Sequence, residues 1–150
     1  MDPFYKDLPL YSSERISAMG KNTLIVEMYD TLLGEFDSGK MKETVDKYAS
    51  LPDREQSENW YDDIKLSPAV YKQGKKMTEE YDAFCKDILS AYINIDAKEV
   101  EDPEVNKKKA CLYVEGLLQK GGISTDIFKK ELGQEATEKL FRNYLFGTGE

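Results

Sequence analysis

The chain has 150 residues, with 21 basic and 29 acidic side chains, no histidine, two cysteines and ten tyrosines. That length fits about one domain, able to bury roughly 68–70% of its unfolded surface, and 40% apolar with 11% aromatic residues argues against intrinsic disorder. The net charge of −8 disfavours DNA and anionic membrane as direct partners, and the lack of histidine removes histidine general bases, the usual catalytic triad and histidine-ligated zinc or di-iron.

Residues 1–11 read as an N-terminal extension without the basic and apolar regions of a signal peptide. Ser12 or Ser13 then caps a first helix. From there to Leu33 the apolar residues Ile16, Met19, Ile25, Val26, Met28, Tyr29 and Leu32 recur mostly three or four apart, and Gly34 ends the run. Met41, Val45 and Tyr48 mark a short second helix, stopped at Leu51-Pro52. A third is expected from Asp53, with Gln56 at capping-box spacing, carrying Trp60 and Ile64. Ser67-Pro68 reads as a helix start. The stripe Val70, Met77, Tyr81, Phe84, Ile88, Tyr92 and Ile95 follows, as one long helix or as two with Thr78 capping the second. Asp102-Pro103 opens another helix through Tyr113, Val114, Leu117 and Leu118 to Gly121-Gly122. Ser124 or Thr125 opens a short one to Gly133, and a last runs from about Glu135 through Leu145, with 147–150 as a tail. No run alternates strictly enough to stand out as a strand; the cluster Leu24-Ile25-Val26 is the one place a strand could hide, and its flanks continue the helical period. The expected fold is all-α: a single-domain antiparallel bundle of about five to seven helices.

No apolar run approaches the ~20 residues that span a bilayer. Cys85 and Cys111 have neither C-x-x-C nor metal-ligand spacing and read as small apolar core side chains, so a reducing, cytoplasmic location is expected.

Few constellations carry chemistry. Glu27 and Asp30 form an E-x-x-D step that, on a helix, could present oxygen ligands to Mg²⁺. This resembles the all-α MazG-type nucleotide pyrophosphohydrolases, whose likeness would imply Mg-dependent nucleotide hydrolysis. The second acidic step is broken, because Glu79-Glu80 is followed three positions later by Ala83 and the third acid is missing. The plain alternative is the polar stripe of an amphipathic helix, and no metal or other cofactor is expected. The helix–glycine–helix at 121–145 begins its second helix with Gln134-Glu135, acidic where a DNA reader would meet phosphates.

Two acidic patches remain. Residues 51–66 hold five acids against two bases, and residues 94–106 hold five against one. Glu55, Glu58, Asp62 and Asp63 surround the only tryptophan, Trp60, and Tyr61, while Glu99, Glu101 and Asp102 form the second patch. Aromatic anchors ringed by carboxylates suit a basic protein partner, and rows of carboxylates can imitate phosphates. The expectation is therefore a non-enzymatic acidic interaction protein, such as a phage- or mobile-element-type inhibitor or regulator of a nucleic-acid-handling protein. A core position for Trp60, with the acids serving solubility, is the plain reading.

The tyrosine excess offers an alternative. Tyr71, Tyr81, Tyr92 and Tyr113 sit on or beside the apolar stripes and could line a small-molecule pocket. Glu58-Asn59-Trp60, Ser67-Pro68-Ala69-Val70-Tyr71-Lys72-Gln73 and Lys76-Met77-Thr78-Glu79-Glu80 together resemble the drug-sensing helical domain of thiostrepton-responsive MerR-type regulators over about twenty residues. That resemblance implies a ligand-sensing helical domain of a transcriptional regulator.

Overall fold

A computed structural model describes residues 6–56, 58–100 and 102–146. Two compact units divide the chain, at residues 1–99 and 100–150.

The first unit is built on a sheet, which overturns the all-α bundle. Strand β1 (Leu10–Ala18) turns directly into β2 (Lys21–Tyr29), and β3 (Lys65–Gly74) pairs with the other side of β2, all antiparallel, in the order β1-β2-β3. The expected first helix is thus a hairpin. Met19 and Gly20 form its two-residue turn, both with positive φ (54° and 75°), the mirror-image geometry that matches strand twist. From Thr23 to Tyr29 every residue of β2 is buried. A central strand covered on both faces has no alternation to display, so its apolar run passes for helix.

Residues paired across strands share a face. Leu24, Val26, Met28 and Val70 point to one side, where α1 (Gly39–Lys47) and α2 (Thr78–Ile93) supply Met41, Tyr81, Phe84 and Ile88 to a common core. Tyr48, just past α1, stacks on Phe84 at 4.3 Å, and its hydroxyl donates to Asp87. Arg15 of β1 reaches Asp82 on the same α2. The stripe Tyr81, Phe84, Ile88 is as the spacing indicates, but Val70 belongs to a strand, so the stretch 70–95 is neither one helix nor two.

Pro68 does not start a helix. It sits inside β3 where the register slips: Val26 pairs with Val70 and Met28 with Leu66, leaving three residues of β3 opposite Glu27. Strands accept proline at such irregularities because no ladder N–H is required there. The helix expected from Asp53 is absent too. Residues 51–56 and 58–61 form a strap without α-helix that runs into one 3₁₀ turn, Asp62–Ile64.

The second unit is helical. Its helices are α3 (Pro103–Lys120), α4 (Ile123–Leu132) and α5 (Gln134–Lys139), which runs on into a π-helical turn, Leu140–Leu145. Asp102 caps α3 by accepting from the N–H groups of Glu104 and Val105. Gly121 stops it with φ 86°, and a Cβ there would meet Asp126 Oδ1 at 2.7 Å, so glycine is required. Phe141 is buried and meets Phe128 edge-on at 5.9 Å. Arg142 donates to both oxygens of Glu115 at 2.8 Å, which holds that carboxyl below its usual range.

The α2–sheet core carries the first unit. Replacing Phe84, which is 0% exposed, by alanine is expected to lower stability by about 3–5 kcal/mol in urea unfolding.

Candidate functional site

The sheet face opposite the helices holds a buried carboxylate with its partners. Glu27 sits mid-way along β2, 5% exposed. Its carboxylate accepts a 2.8 Å hydrogen bond from the Tyr71 hydroxyl and lies 3.8 Å from Lys65 Nζ. Lys65 also donates to Asp62 at 3.0 Å and rests 5.0 Å from the centre of the Tyr71 ring. A buried carboxylate is costly unless hydrogen-bonded and paired, and here β3 supplies both the hydroxyl and the ammonium.

The strap is fastened to β3 by two lysines on opposite faces of that strand, Lys72 on the helix side and Lys65 beside Glu27. At its start Lys72, 6% exposed, donates to Asp53 at 2.6 Å and to the Leu51 carbonyl at 3.1 Å. Arg54 N–H donates to the Tyr71 carbonyl, and Gln73 N–H to that of Pro52, so residues 52–54 run as an added edge along β3. At its end Lys65 holds Asp62, which also accepts from Asn59 N–H at 2.9 Å. Those two donors lower the Asp62 pKa, the backbone N–H most. Between the fastenings, Tyr61 packs edge-on to Tyr29 at 5.5 Å and Trp60 edge-on to Tyr61 at 5.3 Å.

Burial pushes Tyr71 well above the ordinary tyrosine range, with the bond to Glu27 adding to it. Tyr61 is raised by burial and then by the charges of Glu27 and Glu14. Neither phenol can act as a base near neutral pH. Glu27, Tyr71 and Lys65 satisfy one another, and the arrangement is one that clamps chain segments together.

The residues singled out from sequence are distributed as follows. Along the strap Glu55, Glu58 and Asp63 are exposed, Trp60 is half-buried and Tyr61 is buried. Asp62 is committed to the turn. Tyr71 joins the Glu27 cluster, whereas Tyr81 belongs to the opposite, helix-covered core. Tyr92 bonds the Pro9 carbonyl at 2.7 Å and stacks near Tyr11. Tyr113 belongs to the helical unit. Glu99 is exposed, in an isolated bridge with Lys6. Asp102 is the α3 cap, and Glu101 lies outside the described residues. Glu27 stands in a strand, and Asp30 beyond its end accepts from Leu32 N–H at 3.2 Å, so the helical E-x-x-D step does not exist. Among the described residues no cluster of three acidic or cysteine side chains could hold a metal.

Lys65 and Lys72, which make the site, were not legible as such: a lysine among acids reads as solvated surface. The one available hint was their separation by seven residues along an aromatic and β-branched stretch.

Comparison with protein families yields no match, and neither does comparison with curated proteins. The likeness to a drug-sensing helical domain does not survive the fold either, because Ser67–Gln73 is strand. No helix among the described residues is long and apolar enough to cross a membrane.

Tyr71 and Tyr61 are neutral in the fold at pH values where unfolded tyrosines, with pKa near ~10, ionise. Their folded values are raised, so this stability is complete below about pH 10 and is lost as pH rises through the folded values. The urea midpoint is expected to be flat between about pH 7 and 9 and to fall above pH 10. Tyr71→Phe should have a shallower decline, checked by denaturation alongside tyrosinate absorbance.

Proposed function

We propose that the chain is a non-enzymatic, cytoplasmic binding protein whose acidic, aromatic-centred strap engages a basic protein partner. The reading includes an inhibitor or regulator of a nucleic-acid-handling protein, with nucleic acid itself repelled by the same charge. The observation that carries it is the division of labour on the strap. Asp53 and Asp62 are tied to lysines of β3, whereas Glu55, Glu58 and Asp63, on either side of Trp60 in the chain, are exposed and, among the described residues, no ion pair holds them. A strap fastened at both ends presents its outer carboxylates without much further loss of chain entropy on binding, which favours affinity. Carboxylates so held steer a cationic surface, and the aromatic pair gives it something to bury.

The charge distribution agrees. The sheet unit carries 13 basic and 20 acidic residues, the helical unit 8 and 9. The absence of histidine, the mutual satisfaction of Glu27, Tyr71 and Lys65, and the raised phenols support binding over catalysis.

The test is affinity capture from lysate of the native host, with wild type and with Glu58→Lys/Trp60→Ala/Asp63→Lys, near 0.05 M and ~0.5 M salt, where the Debye length falls well below 10 Å. Basic proteins are expected on the wild type at low salt, released at high salt and missing from the variant. Equal retention by the variant, or capture indifferent to salt, contradicts the reading.

A further inference from the structure

The two edges of the sheet differ. The β3 edge is closed by residues 52–54 through the Arg54 and Gln73 amides. The β1 edge is open: among the described residues, no backbone hydrogen bond from outside the hairpin reaches Leu10–Ala18. Ala18 and Lys21 close a two-residue turn and exchange both hydrogen bonds. By antiparallel alternation Tyr11, Ser13, Arg15 and Ser17 therefore aim their N–H and C=O groups outward. Protected edges carry prolines, bulges or projecting lysines. Here the register with β2 is unbroken over nine residues, Ser12, Ser13, Ser17 and Ala18 are small, and the Arg15 guanidinium is drawn onto α2 by Asp82 and the Thr78 carbonyl.

We propose that β1 receives an extended, basic segment of the partner as a fourth strand. Backbone pairing along β1 supplies the attachment, and side chains alternate between the two faces of the enlarged sheet. Charge selects the occupant. The surrounding unit is the acidic one, with 20 acidic against 13 basic residues, which favours a cationic strand. A second copy of the chain is disfavoured by the same feature. Two copies paired along β1 would bring two such acidic units together, and like charges facing one another disfavour association. This inference rests on the reading of the chain as a binder of a basic protein and adds the conformation of what it binds.

Three nine-residue probes test it: a capped peptide alternating lysine and valine, the same peptide with glutamate for lysine, and the lysine peptide N-methylated at alternate backbone nitrogens. With the lysine peptide, amide exchange at Tyr11, Ser13, Arg15 and Ser17 is expected to slow at least tenfold, while the other two leave it unchanged. Ser13→Pro removes one outward donor and spares the β2 ladder, so it should weaken lysine-peptide binding at least tenfold with the circular dichroism retained. Unchanged exchange at millimolar lysine peptide overturns the proposal. So does equal binding of the N-methylated probe, or protection of these amides by concentration-dependent dimerisation without peptide. If the strap variant loses native capture and Ser13→Pro keeps it, the strap reading stands and this one fails; if both keep it, both fail.

Discussion

A carboxylate buried in the middle of the central strand is the constraint around which the sheet unit is organised. Glu27 lies where water cannot solvate it, so its partners must come from the protein. Both arrive from β3: the Tyr71 hydroxyl and the Lys65 ammonium. Lys65 in turn reaches Asp62 and fixes the end of the strap, while Lys72, on the other face of the same strand, fixes its beginning. The irregular register opposite Glu27 belongs to the same arrangement. It shifts Lys65 to pair with Tyr29 while Tyr71 pairs with Ile25, so both side chains flank the carboxylate on one face.

The helices were legible where local chemistry decides them. The Asp102-Pro103 start, the glycines at 121 and 133, and the Tyr81–Phe84–Ile88 stripe each encode a helix without reference to anything distant in the chain. The strands were not, for two physical reasons. A strand buried on both faces loses the period of two, and Thr23–Tyr29 then looks like any apolar run. The edge strand β1 alternates in burial from Ser12 to Ser17, but its covered positions are Ser12, Glu14 and Ile16, so the period of two is not written in apolar residues, and Ile16 and Met19 fall three apart by coincidence. Met19-Gly20 between two such segments, and the β-branched pair Ile25-Val26, were the signals that compete with the helical spacing. Ser67-Pro68 misled because proline is equally at home at the first turn of a helix and at a strand irregularity.

The candidate site was legible in composition but not in construction. Acids around Trp60 and Tyr61 stand out along the chain, and the structure keeps Glu55, Glu58 and Asp63 exposed there. That Asp53 and Asp62 serve the fold, and that the lysines holding them come from β3, depends on strand pairing across many residues. Glu27 attracted notice as an acid and Tyr71 as a phenol, yet what they do is done to each other. A binding surface built this way has its geometry set from inside the sheet: the buried cluster positions the strap, and the strap positions the exposed carboxylates.

The most direct measurement of that claim is a double-mutant cycle between Glu27→Leu and Tyr71→Phe, read by urea unfolding. If the buried pair organises the unit, each single change leaves its partner unsatisfied, and the double variant is more stable than the sum of the two losses allows, with a coupling of at least ~1 kcal/mol. Losses that add to within ~0.5 kcal/mol would show that the two groups do not depend on one another, and the account would be wrong at its centre.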